Sequence, residues 1–145
     1  YQQQLEESCR LVAEGFPEPS WSLAYQSRSG PPTQPWLEPD VCDHLQQLHD
    51  AGQVTDVVIS PIGFVSDHME VIFDLDTEAK EVCSNLGLNM IRAGTVGTHP
   101  TFIRMIRDLV LERTEGRTPA HIGQYGPTPN DCPDDCCPSG RPART

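Results

Sequence analysis

The sequence predicts an α/β fold, a parallel sheet with helices on both faces. Helical apolar stripes alternate with short continuous apolar runs along the chain. The links between these segments are short, and such alternation builds a parallel sheet covered on both sides. One run, "VTDVVIS" (54–60), is the kind that a buried parallel strand shows.

The elements follow in order. Leu5, Cys9, Val12 and Phe16 are spaced by four, three and four, which predicts a helix over 2–16 that "GFPEPS" ends. "WSLAYQS" (21–27) is a short strand, and "RSGPPTQPWLEP" (28–39) is a proline-rich loop. Residues 40–51 form a helix with Asp40 as N-cap and Gly52 as its stop. The strand at 54–60 ends at Pro61 and Gly63. Ser66 then caps a helix from 67 to about 86 that Gly87 closes. "NMIRA" (89–93) is a third strand, "GTVGTHP" a turn, and 100–114 a last helix. Three strands are few for such a sheet, so a further strand is expected before Tyr1. The chain is accordingly read as a fragment: a lobe over 1–114 and a Gly/Pro-rich tail over 115–145 with no period.

With 145 residues the chain is long enough for one core. Its formal charge of -11 argues against nucleic acid or an anionic membrane surface as main partner and suits a cation. No apolar run reaches transmembrane length and no stretch resembles a secretory signal. Cys9, Cys42 and Cys83 fall on helical patterns as small apolar residues, and only Cys132, Cys136 and Cys137 cluster. A reducing cytoplasm is therefore expected.

The chemistry concentrates in "SPIGFVSDHMEVIFDLDTE" (60–78). Ile72, Leu75, Ala79, Val82 and Leu86 recur at core spacing on its helix, which places Glu70, Asp74 and Glu78 in a row facing away from the core. Like charges four residues apart weaken a helix, so something beyond the helix must favour the row. A solvated face with acids near a helix N-terminus is the plain explanation. Against it, the helix starts at the carboxyl end of a buried strand, where open α/β sheets place their ligands. His68 and Asp67 stand in its first turn, and histidine with carboxylates suits a ferrous ion.

This stretch resembles the ferrochelatase signature, roughly P-I-x-F-x-S-D-H-x-E followed by acids. "YQSRSGPPTQPWLEP" (25–39) is similar to a second family segment, Q-S-R-x-G-P…W-L-x-P. The resemblance runs from about Tyr1 to Arg113 and covers only the C-terminal lobe of a chelatase-like family with two Rossmann-like lobes, which implies an incomplete Rossmann-like fold here. Two extra residues between Pro31 and Trp36, and the cysteine tail, resemble the actinobacterial branch, which acts on coproporphyrin III rather than protoporphyrin IX. The family's catalytic histidine lies in an H-S-x-P segment that does not occur here; His44, His49, His68, His99 and His121 do not match it. Activity therefore requires the other lobe.

Carried over residue by residue, the resemblance implies that Glu70 binds ferrous iron or accepts a pyrrole proton. Asp74 and Glu78 continue the ridge, and Asp67 and His68 belong to the motif, with His68 orienting Glu70. Trp36, Tyr25 and Ser27 are implied as porphyrin-binding. Iron is the substrate metal, and the porphyrin and the N-terminal lobe are the partners. Cys132, Cys136 and Cys137 resemble the tail ligands of a 2Fe–2S cluster, whose fourth ligand would come from the other lobe; structural zinc or plain thiols are the alternatives. A non-catalytic metal- or tetrapyrrole-binding module, or a degenerate fragment, is the alternative to an enzyme.

Overall fold

The computed structural model describes residues 1–132 apart from 18, 19, 29, 32, 34 and 53. Helix α1 spans Gln2–Ala13 and α2 spans Val41–Asp50. Strand β1 (Asp56–Ile59) leads through the 60–68 loop to one long helical stretch. That stretch opens as α3 (Met69–Val71), continues as a π-helix, π1 (Ile72–Ala79), and closes as α4 (Lys80–Leu86). Strand β2 (Asn89–Arg92) and helix α5 (Pro100–Glu115) follow.

Local chemistry accounts for the boundaries. Asp40 caps α2 as expected, its carboxylate accepting from the Cys42 N–H at 2.8 Å. Gly87, at φ +71°, ends α4 in the left-handed conformation that glycine adopts without strain. The Leu88 N–H then donates to the Cys83 carbonyl and the Gly87 N–H to Ser84, so two carbonyls of the last turn are satisfied. The start of the stretch differs from expectation. Ser66 makes no side-chain cap; helical geometry begins at Met69 with His68 in the N-cap position.

β1 and β2 pair in parallel, Asp56 opposite Asn89 and Ile59 opposite Arg92. Val57, Ile59 and Met90 face inward against Leu45, Val71, Leu75, Ala79, Cys83 and Leu88. The core is therefore α2 and the long helical stretch laid on one face of a small parallel sheet. Val58 and Ile91 alternate to the opposite face and are 70% and 59% exposed. The expected cover on both faces is not seen among the described residues. The apolar side chains of α5, including Ile106 and Leu109, are exposed as well.

The expected strand over 21–27 does not form. Tyr25 makes a single parallel bridge with Asp40, its N–H donating to the Pro39 carbonyl and its carbonyl accepting from the Val41 N–H. The cause is the lack of a neighbour. Between Ser20–Gln26 and Asp56–Phe64 lies a cavity of about 570 Å³, walled at its ends by α1 and α2. A strand needs a partner about 4.8 Å away to pair with.

The described part of the tail, residues 117–132, is irregular as expected, and it is anchored to α1. Glu7 of α1 is buried, and its carboxylate accepts from the Gln124 backbone N–H and side-chain amide at 2.8 and 2.9 Å. Arg10 grips the same carboxylate through two nitrogens, at 2.7 and 2.8 Å. Gly123, at φ +81°, passes so close that a Cβ there would stand 2.4 Å from a Glu7 oxygen. The Arg10 guanidinium and the Gln124 donors together pull the Glu7 carboxyl from 4.5 to about 2. Arg10 stays beside Glu7 on α1 when the tail leaves, so only the Gln124 share of this lowering belongs to docking. Docking is therefore complete at neutral pH and is lost only as pH falls toward about 2. Nuclear magnetic resonance should show the Gln124 amide signals moving to free positions across that window. Gly123→Ala should release them already at neutral pH.

Candidate functional site: an acidic ridge on a widened helix

The helical stretch that carries the acids is not an ordinary α-helix. Its buried row is Val71, Leu75, Ala79 and Cys83, each 1% exposed or less. In an α-helix of about 3.6 residues per turn, every fourth residue leads by about 40°, so such a row would wind off the core. The i→i+5 bonding of a π-helix adds a residue to the turn and reverses that drift. Alternating α and π turns keeps a strict four-residue row straight. The α-period expectation that Ile72 lies in the core is thereby corrected; Ile72 is 41% exposed.

The acids Glu70, Asp74 and Glu78 have the same strict spacing and run beside the buried row. They flank the core rather than oppose it. Asp74 accordingly is half-buried, whereas Glu70 and Glu78 are exposed. The Ser27 hydroxyl donates to Asp74, and Gln26 Nε2 donates to the same oxygen at 3.3 Å. Ser27 holds φ +62°, a left-handed conformation rare for a residue with a Cβ and a form of local strain that clusters at functional sites. Gln26, Ser27, Arg28, Cys42, Asp74 and Glu78 line a cleft of about 250 Å³ at this end of the ridge.

Glu70 and Glu78 accept no hydrogen bond and join no ion pair with the described residues, whereas Asp67, Asp74 and Asp76 are each held. Arg92, the last residue of β2, donates from Nε and Nη2 to the two oxygens of Asp76, each at 2.7 Å, and from Nη1 to Asp67 at 2.6 Å. This contact, led by the hydrogen bond from Arg92, keeps Asp76 below the usual carboxylate range.

The other sequence-predicted residues fall as follows. His68 packs its ring edge-on against Phe64, centroids 5.1 Å apart, and makes no hydrogen bond to Glu70. Trp36 is 38% exposed on the proline-rich loop. Tyr25 turns away from the ridge, toward Glu6, Tyr1 and Cys9 of the α1 side; burial first, then those neighbours, push its phenol up. Cys132 is exposed, and Cys136 and Cys137 lie outside the described residues. Among the described residues, no three His, Cys, Asp or Glu side chains come together as a metal-holding set. The ridge is an open row of ligands rather than a cage. Sequence reasoning missed the π turn, the Ser27 contact and Arg92. The first had a signal, the unbroken four-residue spacing of both rows.

A ferrochelatase family model matches residues 1–114. The chain belongs to the ferrochelatase family. It is similar to the ferrochelatase of Rhodopirellula baltica, 55% identical over 139 residues, covering 94% of this chain and 39% of the relative. It is also similar to the coproporphyrin III ferrochelatase of Streptomyces coelicolor, 50% identical over 92% of this chain and 38% of the relative. The coproporphyrin III ferrochelatase of Nocardia farcinica is 46% identical over 99% of this chain and 42% of its own length. The chain thus spans about two fifths of the length of the ferrochelatases it matches.

An open carboxylate row should bind a divalent ion weakly. Anaerobic calorimetric titration of the 145-residue chain with Fe²⁺ or Co²⁺ should show a weak site that disappears in Glu70→Gln. Unchanged heats in that variant would exclude Glu70 as a ligand.

Proposed function

We propose that this chain is the C-terminal lobe of a ferrochelatase that inserts Fe²⁺ into a porphyrin during haem synthesis, with coproporphyrin III as the substrate. One observation carries the reading: a straight row of carboxylates at the carboxyl end of β1, with Glu70 and Glu78 unengaged. Family membership and the coproporphyrin III names of similar proteins support the activity and the choice of ring.

Metal insertion asks for two things. Water must be stripped from Fe²⁺, and two N–H protons must leave a stiff macrocycle. Glu70, exposed at the head of the ridge, is free to ligate the ion or to accept a pyrrole proton. Carboxylate oxygens are hard ligands that a ferrous ion exchanges stepwise, and successive turns place them about 6 Å apart. Asp74 is committed to Ser27 and Gln26, so it steadies the row, while Glu78 offers the next free oxygen pair beside the small cleft. Binding the ring bent toward these groups favours the transition state over the flat substrate. Asp67 and His68 shape the start of the ridge, and Trp36 and Ser27 belong to the wall that receives the porphyrin, whereas Tyr25 faces the α1 side and stands apart from it.

The complete fold of the lobe belongs to the same proposal. The cavity of about 570 Å³ lies between the 20–26 segment and β1, whose other edge is paired with β2. Two buried polar atoms, Tyr25 OH and His44 Nδ1, have no partner among the described residues, and both side chains line the cavity. A buried donor or acceptor left unpaired costs about 1–3 kcal/mol. A strand supplied from outside these 145 residues, inserted there, completes a four-stranded parallel sheet. It supplies partners along β1, and the exposed Val58, Ile91 and α5 side chains can then be covered as in a Rossmann-like lobe with helices on both faces.

Among the described residues no helix is long and apolar enough to cross a membrane. Cys9, Cys42 and Cys83 are free thiols within the fold, and burial pushes Cys42 up to about 11. Protonated, inert thiols of this kind suit a reducing cytoplasm. A 2Fe–2S cluster is not part of the proposal, because Cys136 and Cys137 lie outside the described residues.

In a family-length enzyme carrying these residues, Glu70→Gln should reduce iron insertion most. Asp74→Asn and Glu78→Gln should reduce it less, since each stands a turn further along. Turnover of Fe²⁺ with coproporphyrin III tests the order. A Glu78→Gln enzyme more impaired than Glu70→Gln would reverse the assignment, and a wild type that binds the ring without metallating it would leave a non-catalytic module.

A further inference from the structure

We infer that Arg92 is a positioning residue for the acidic ridge, fixing Glu70 by clamping the carboxylates on either side of it. This rests on the function proposed above. Asp67 precedes Glu70 by three residues and Asp76 follows by six, and both carboxylates converge on one guanidinium. The contact to Asp76 is a two-point fork, the geometry that arginine makes with a carboxylate and lysine cannot. A fork fixes direction as well as distance. Asp76 lies inside π1, so the clamp spans the change from α to π turns that straightens the ridge.

The anchor itself is rigid. Arg92 is the last residue of β2 and stands in register with Ile59, the last residue of β1. Its N-terminal neighbours are held by the sheet ladder, and the following Ala93 N–H donates to the Ile59 carbonyl at 2.8 Å. Its side chain is 18% exposed and that of Asp76 36%, so the grip is partly shielded from solvent. The position of Glu70 is thus referenced to the sheet through Arg92, not only to the helix that bears it. On the other side, Ser27 and Gln26 hold Asp74. Between these two holds, Glu70 keeps both its oxygens free. Arg92 leaves the chemistry to Glu70 and sets where its carboxylate stands. Misplacing a reacting group by about 1 Å costs up to about a hundredfold in rate.

The test uses the family-length enzyme and two independent readouts. Arg92→Gln should lower kcat about ten- to a hundredfold and raise KM for Fe²⁺, with KM for the porphyrin unchanged. Arg92→Lys should recover only part of the loss, because an ammonium keeps the charge and loses the fork. Adding Asp76→Asn to Arg92→Gln should cost little more, as expected for two members of one contact. Ala13→Gly, which weakens α1 outside the core cluster that carries the ridge, serves as the stability control and should keep its kcat. Hydrogen exchange, read without any turnover, should quicken in Met69–Ala79 of Arg92→Gln while α2 stays protected. An Arg92→Gln enzyme with wild-type kcat and unchanged exchange in that segment would overturn the inference. So would a loss of activity matched by Ala13→Gly, or exchange that quickens evenly through the core. A wild-type enzyme that inserts no iron refutes the proposed function instead, and the exchange measurement then decides the clamp alone.

Discussion

Holding like charges in line is the constraint on which the rest of this structure depends. Glu70, Asp74 and Glu78 repel one another at a spacing that weakens an isolated helix. The fold offsets this repulsion from three directions. The buried row Val71, Leu75, Ala79 and Cys83 ties the helix to the sheet along its whole length. Ser27 and Gln26 donate to Asp74, and Arg92 answers the charge of Asp67 and Asp76. The two carboxylates left without partners are those at the ends of the row. They are spared because their neighbours are held.

The sheet explains why the ridge stands where it does. β1 and β2 end side by side at Ile59 and Arg92, and the loop from β1 turns directly into the ridge helix. Strand ends in open α/β sheets collect ligands because loops there leave a crevice above the carboxyl edge. Here the same edge also provides the arginine. One register therefore fixes both the start of the helix and the cation that orients it. Among the described residues one side of β1 has no strand beside it, and the cavity there is lined by Tyr25 and His44, each with an unpartnered buried polar atom. The short tether from Glu7 to Gln124 shows that the chain after α5 packs back against α1 at that point.

Much of this was legible in the residues. The helices α2 and α5, the strands β1 and β2, the Asp40 cap and the Gly87 stop follow from local chemistry that tertiary packing did not override. The strand expected at 21–27 failed because a strand is a property of two segments, and its neighbour is not among those described. The core position given to Ile72 failed because an α period was applied to a π-helix. The four-residue spacing of the acids was legible, but they flank the core instead of facing away from it, and their partners could not be read. Ser27 and Arg92 lie 47 and 16 residues from the acids they hold, and no spacing rule joins them.

The central claim is that the row of carboxylates handles the ferrous ion. It is tested most directly by anomalous diffraction from crystals of a family-length enzyme soaked without oxygen in Fe²⁺ or Co²⁺. The account predicts a metal peak at bonding distance from a Glu70 oxygen, with Asp74 still on Ser27 and Asp76 still on Arg92. A metal bound elsewhere, with Glu70 turned to solvent and no density beside it, would contradict the account.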